Sequence, residues 1–268
     1  MLEHEGRVAF VTGGSSGIGR ACAIELAAQG SAVAVHGLDL EQSAAVVAEI
    51  EASGGRALAL AGPVDDAEAM GAAIGAAVAA FGQLDSLVTA AGIQRYGTSV
   101  STSPADWDEV MSVNLKGVYL ACHFAMPHLR ASAAGSAVIV SSVQGTASQA
   151  DVAAYAASKG ALHSFARATA IDEGAFGVRV NSVSPGSVDT PMLRASAAGM
   201  SDGSVTAVEG LLAEWGTAHA LGRIARAAEV ATVVSFLASP RASFVTGADI
   251  RVDGGLLARL AAALPANR

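Results

Sequence analysis

A three-layer α/β sandwich around a doubly wound, mostly parallel seven-stranded sheet is the fold class this sequence predicts, on three observations. Short apolar runs alternate with segments of helical length along the chain, the order expected when crossover helices join parallel strands. Most of the runs are continuously apolar rather than alternating, as in strands covered on both faces. A glycine-rich turn, Thr12-Gly-Gly-Ser-Ser-Gly-Ile-Gly19, links the first run to the first helical segment.

Taken in order, Val8–Val11 is the first expected strand, and Gly17–Gln29 the first helix, with Ile24, Leu26 and several alanines as its apolar face. Strands follow at Ala32–Val35, Ala57–Leu60, Ser86–Val88, Ala137–Val140, Arg179–Val183 and Asp249–Val252. Helices are expected at Glu41–Ala52, Ala67–Phe81, Pro104–Ala131, Val152–Glu173 and Ala227–Ala238. The rhythm breaks over residues 188–221, an insertion carrying Met192, Met200 and Trp215. It follows the carboxyl end of a strand, where ligands bind in such sheets, so it is expected to cover a substrate.

The 268 residues are 52% hydrophobic, enough for one large core. No linker or repeat divides them, so residues 1–268 read as a single domain. A net charge of −8 argues against nucleic acid or an anionic membrane as partner. The most apolar stretch, Ala69 to Phe81, falls short of the roughly 20 residues that span a bilayer. The polar, acidic start Met1-Leu-Glu-His-Glu-Gly6 is unlike a secretion signal, and a cytoplasmic location is expected. Cys22 and Cys122 read as separate buried thiols, and the six histidines show no ligand spacing, so no metal is expected.

Two features carry chemistry. A strand, a glycine-rich turn and a helix in succession let backbone N–H groups approach a pyrophosphate at the helix N-terminus. Tyr155 and Lys159 lie one helical turn apart, with Ser142 thirteen residues upstream. At that spacing phenol and ammonium share a face, and the ammonium is expected to pull the phenol pKa down towards the range of a general base.

Together with Val113-Asn114-Leu-Lys-Gly117, Val140-Ser-Ser-Val-Gln-Gly145, Asn181-Ser-Val-Ser-Pro-Gly186, Phe244-Val-Thr-Gly247 and Val252-Asp-Gly-Gly255, these motifs resemble the short-chain dehydrogenase/reductase family from about Arg7 to Gly255. The resemblance implies a Rossmann-type fold and an NAD(P)-dependent oxidoreductase. It implies Tyr155 as acid/base, Lys159 lowering its pKa and holding the nicotinamide ribose, and Ser142 orienting the substrate oxygen. Asn114 would break a helix locally and hold a water. Gly13, Ser15, Ser16, Gly17, Ile18 and Gly19 would cradle the phosphates, with Val64, Ala91 and Gly92 along the cofactor. Pro185, Gly186, Val188 and Thr190 would receive the nicotinamide.

The adenosine side departs from the family pattern. Gly37 stands where an acidic residue would select NAD, followed by Leu38, and no basic residue is placed for a 2′-phosphate. Asp39 is expected to turn towards the ribose, which favours NAD. Pro63 replaces an acid near the adenine, so either Asp65 takes over that role or the adenine amino group goes without an acidic acceptor. Thr89-Ala90 replaces two bracing asparagines.

The segments around Gln94, Gln144 and Met192 look like those of bacterial sugar or polyol dehydrogenases, implying a small alcohol or ketone as substrate. Gln94, Gln144, Gln149, Met192, Trp215 and His219 are its candidate contacts, the amides and imidazole reading hydroxyls. The alternatives are an NADPH-dependent 3-oxoacyl thioester reductase and, in another class, a non-catalytic dinucleotide sensor. The resemblance also implies a homotetramer, and the small residues Ala156, Ala157, Gly160 and Ala161 suit close helix packing between subunits. Leu256 to Leu264 is an apolar tail expected to pack across subunits or over its own core.

Overall fold

The computed structural model describes residues 2–259. Seven parallel strands form the central sheet: β1 (Val8–Thr12), β2 (Ala32–Gly37), β3 (Arg56–Ala61), β4 (Ser86–Thr89), β5 (Ser136–Val140), β6 (Arg179–Pro185) and β9 (Asp249–Val252). Their spatial order is β3-β2-β1-β4-β5-β6-β9, with Val8 opposite Ala32 and Ala9 opposite Ser86. All the expected strands are present, the last with the expected bounds and the other six extended by a residue or two. β1, β2, β4, β5 and β6 are buried along their whole length, which explains their unbroken apolar runs.

One face of the sheet packs Phe10, Ala34, Leu87 and Ile139 against α3 (Ala67–Phe81), α5 (Gly117–Ala131) and α6 (Ala153–Gly174). The other packs Val11, Val33, Val138 and Val140 against α1 (Gly17–Ala28), α2 (Leu40–Ala52) and α9 (Ala227–Ala238). Strand order reverses between β1 and β4, and that reversal opens a crevice at their carboxyl ends.

The expected helix from Pro104 to Ala131 is not continuous. α4 (Pro104–Met111) and α5 are separated by a π-helical turn, Ser112–Lys116, closed by Gly117 N–H donating to the Ser112 carbonyl. Asn114 lies in that turn, fully buried, with its side chain spent on a neighbouring loop. The break falls at Asn114, where the resemblance expected one, although the helical period by itself runs through it.

Residues 188–221 are largely helical rather than irregular. α7 (Pro191–Gly199) begins on Thr190, whose hydroxyl accepts the Leu193 N–H, and α8 (Val205–Thr217) begins on Ser204. Two short parallel strands, β7 (Val188–Asp189) and β8 (Ala225–Arg226), close the excursion. Arg194 binds Asp189 through two hydrogen bonds and Glu209 through a third, tying α7 to both neighbours. Of the apolar tail, Leu256–Ala258 forms a short turn, and residues 260–264 lie outside the described residues.

Candidate active site

The glycine-rich turn has a shape only glycines allow. Gly13 adopts φ +64, and a Cβ there would lie 2.7 Å from the Ala91 nitrogen across the crevice. A side chain on Gly19 would strike the Gly13 carbonyl. Ser16 caps α1 with no side-chain hydrogen bond, so the first N–H groups of the helix remain available to an anion. Beside them, the Thr12 hydroxyl accepts the Ala90 N–H at 3.2 Å, holding Ala91 and Gly92 close to the turn. These features fit a dinucleotide pyrophosphate.

On the adenosine side the structure accounts for Gly37. A Cβ at that position would lie 2.7 Å from both the Ser15 and the Ser43 hydroxyls, so the space an acidic side chain would need is filled. Leu38 is 79% exposed at the strand end. Asp39 does not simply reach for a ribose: its carboxylate caps α2, accepting the Gln42 N–H at 3.0 Å. Asp65, beyond Pro63, accepts the Ser112 hydroxyl at 2.7 Å through one of its two carboxylate oxygens. Val64 packs where a side chain on Gly117 would otherwise lie. The Thr89 hydroxyl is buried with no partner among the described residues, the local consequence of losing a bracing amide.

Ser142, Tyr155 and three of the expected glutamines converge on one cavity of about 610 Å³, bordered also by Ile18, Pro185, Gly186, Val188, Thr190, Met192 and Trp215. Lys159 lies just behind it, 4% exposed, its Nζ donating to the Val140 carbonyl at 3.0 Å and standing 5.5 Å from the centre of the Tyr155 ring. Asn114 holds the β4 end in place: its Oδ1 accepts the Ile93 N–H at 2.8 Å, while its Nδ2 donates to the Ile93 carbonyl and to Ser158. The Ser142 hydroxyl accepts the Gln144 N–H at 3.1 Å, fixing the turn that presents it.

The electrostatics correct one expectation. Burial pushes the Tyr155 phenol up to about 12, against the opposing pull of the Ser142 hydroxyl and with Tyr96 adding to the rise. Burial likewise lowers the Lys159 ammonium to about 8. The protein's own groups therefore do not bring the phenol into the working range. Desolvation acts on both partners and favours the neutral form of each.

His219 lines the same cavity, as expected, but its ring is engaged by the protein itself. Its Nε2 accepts the Ser187 N–H at 3.1 Å and its Nδ1 lies 3.1 Å from the Trp215 carbonyl, so both ring nitrogens are spent inside the protein. The ring braces the loop after β6, and a Cβ on Gly186 would approach its Nε2 to 2.8 Å. The Thr190 hydroxyl, expected at the nicotinamide, is engaged too, donating to the Val188 carbonyl and capping α7. Residues the motifs left unassigned also line the cavity: Tyr96, Leu193, Met200, Leu256 and Leu257. Tyr96 lies two residues from the expected contact Gln94, whereas the two C-terminal leucines reach the cavity only through the fold. Among the described residues, no three His, Cys, Asp or Glu side chains gather to hold a metal, and no helix is long and apolar enough to cross a membrane.

Comparison with known proteins agrees with this geometry. A family model described as "Enoyl-(Acyl carrier protein) reductase" matches residues 13–257. The chain is 39% identical to the short-chain reductase protein NovJ of Streptomyces niveus, over 92% of this chain and 93% of that one. It is 38% identical to cis-4-hydroxycyclohexanecarboxylate dehydrogenase of Sinomonas cyclohexanicum, over 94% and 97%. The solved structure of Thermoplasma acidophilum aldohexose dehydrogenase superposes with a TM-score of 0.89 at 33% identity, covering 98% of this chain and 99% of that one. Fold and site define an NAD(P)-binding oxidoreductase acting on CH–OH groups. The chain belongs to the short-chain dehydrogenase/reductase family.

Proposed function

We propose that this protein interconverts a secondary alcohol and its ketone by hydride transfer, with Tyr155 as acid/base and NAD as the favoured dinucleotide. The observation that carries the reading is the Ser142 hydroxyl and the Tyr155 phenol on one cavity wall with the Lys159 ammonium directly behind. Tyr155 takes the hydroxyl proton of the alcohol or returns it to the carbonyl. Ser142 donates to the same oxygen and stabilises the charge that develops there. Lys159, whose ammonium burial lowers to about 8, relays protons between the phenol and solvent. Pro185 and Gly186 would hold an oxidised nicotinamide, which would supply the hydride acceptor and a positive charge opposing the raised phenol pKa.

The substrate we infer is an alicyclic secondary alcohol carrying few additional polar groups. The cavity wall is dominated by Ile18, Val143, Met192, Leu193, Trp215 and Leu257, and the imidazole expected to read a hydroxyl is already used. The chain's similarity to a hydroxycyclohexanecarboxylate dehydrogenase points the same way. A sugar or polyol is the second reading, favoured by Gln94, Gln144 and Gln149 on the same wall and by similarity to an aldohexose dehydrogenase.

The chain is proposed to act as one domain, in the cytoplasm and as a homotetramer. An open groove lined by Met111 of α4, Leu115 of the π-turn, Tyr119 of α5 and Phe165 of α6 suits pairing with a second copy.

Fluorescence titration with NADH and NADPH, followed by turnover of cyclohexanols and aldohexoses, tests the reading. Tighter NADH binding with cyclohexanol oxidation is expected. Tighter NADPH binding would move the reading to a 3-oxoacyl thioester reductase. Tyr155→Phe is expected to abolish turnover while leaving dinucleotide affinity nearly intact, and binding without turnover of any alcohol would leave the sensor.

A further inference from the structure

One turn beyond Lys159, His163 lies 8% exposed beneath the site and takes no part in the chemistry above. Its Nε2 is 2.9 Å from the Ser184 hydroxyl, which donates to Asp249 Oδ1 at 2.8 Å. Ser182 donates to the same oxygen at 2.7 Å. The Ser184 proton is thus committed to a carboxylate, so the imidazole must carry its proton on Nε2 and donate it to Ser184. Asp249 and Ser184 both face this one nitrogen, with Asp249 Oδ1 3.6 Å from it. A nucleophilic triad needs them on opposite nitrogens, so the cluster is no hydrolytic site.

What the imidazole touches gives it a task. A Cβ on Gly145 would lie 2.6 Å from His163 Cε1 and 2.8 Å from the Lys159 carbonyl, so the Ser142–Gly145 turn rests directly on this ring. The Ser141 hydroxyl, just before that turn, donates to the same Lys159 carbonyl at 2.9 Å. Ser184 immediately precedes Pro185 and Gly186 at the end of β6.

We propose that His163 is a positioning residue: the hydrogen bond from its Nε2 to Ser184 holds the nicotinamide-receiving end of β6 in register with the Ser142 turn. This rests on the reading of the site as a dinucleotide oxidoreductase. The charged groups facing the ring are Asp249 from β9 and Lys159 and Arg167 from α6. Ser182 and Ser184, facing it from β6, carry no charge. Burial keeps His163 below its ordinary pKa, with Asp249 opposing. On acidification the imidazolium is drawn towards Asp249, and its bond to Ser184 weakens.

The test compares NADH with ADP-ribose, which lacks the nicotinamide. Affinities are measured between pH 7 and pH 5, where Lys159 stays protonated throughout. In the unaltered protein, NADH affinity should fall several-fold on acidification while ADP-ribose affinity holds. His163→Leu should weaken NADH about fivefold at pH 7 without moving ADP-ribose. His163→Gln, whose amide can still donate to Ser184, should restore NADH binding and abolish its pH dependence. Where the leucine variant does not fold, the glutamine variant and the pH series carry the test. NADH and ADP-ribose moving together, or a pH dependence that survives in His163→Gln, would overturn the proposal. If ADP-ribose fails to bind the unaltered protein, the dinucleotide reading fails first and this inference with it.

Discussion

At the scale of single residues, the Tyr155 and Lys159 pair determines how the chemistry depends on pH. The phenol is pushed up to about 12 and the ammonium down to about 8, so alcohol oxidation needs a base scarce at neutral pH. The rate of oxidation should rise steadily from pH 7 to beyond pH 9, while ketone reduction, whose acid is a phenol protonated throughout that range, should stay nearly level; initial rates across that range check this. Gly37 has a consequence of its own. Gly37→Asp, the change that ordinarily confers NAD selectivity, should here lower stability by about 1–3 kcal/mol through overpacking against Ser15 and Ser43, measurable as a fall in Tm. His36, fully buried and pushed down to about 4 by desolvation, stays neutral in the folded protein. The unfolded chain takes up that proton below about pH 6.5. Stability from this group is therefore present above pH 6.5 and is lost as pH falls towards 4, by up to about 3 kcal/mol. Denaturant unfolding at pH 7 and pH 4.5 should show a loss that His36→Phe reduces.

At the scale of elements, the site is positioned by interruptions in regular structure. The π-turn lets Asn114 bind both polar groups of the Ile93 backbone, and Asn114→Ala should destabilise the protein by about 1–3 kcal/mol by leaving those groups unpaired. Calorimetry reads that loss. At the amino ends of the strands, the carboxyl end of α9 is capped from outside: Arg179 donates to the Leu237 and Ser239 carbonyls at 2.8 and 3.0 Å, and Arg7 to that of Ala238. The arginine caps were not legible in the sequence, whereas the break at Asn114 was expected from the resemblance. A helix period reports which face is buried, not which carbonyl a distant arginine satisfies. The reverse held for α1 and α6, where the glycine turn and the Tyr155–Lys159 spacing marked both position and orientation.

At the scale of the whole molecule, strand reversal between β1 and β4 brings Gly13 to Ala91, and the insertion places α7 and α8 beside the same crevice. A ligand bound there stabilises the fold by mass action. NADH at about 100 times its Kd should raise Tm by roughly 5–10 °C. ADP-ribose should do nearly as well, because the phosphate turn belongs to both ligands. Assembly is tested separately: sedimentation should report four chains, and Tyr119→Glu, on the exposed groove of α5, should divide them.

Local pattern determined the parallel sheet and the phosphate turn, because each depends on spacing within one strand or turn, and the resemblance of whole motifs pointed to Ser142, Tyr155 and Lys159. Tertiary structure decided the rest. It engaged His219, Asp39 and Asp65 in internal bonds, brought Leu256 and Leu257 to the cavity, and turned the expected fall in the Tyr155 pKa into a rise. Hydrogen-bond satisfaction and desolvation are properties of surroundings assembled from distant parts of the chain, and residue type and spacing do not contain them.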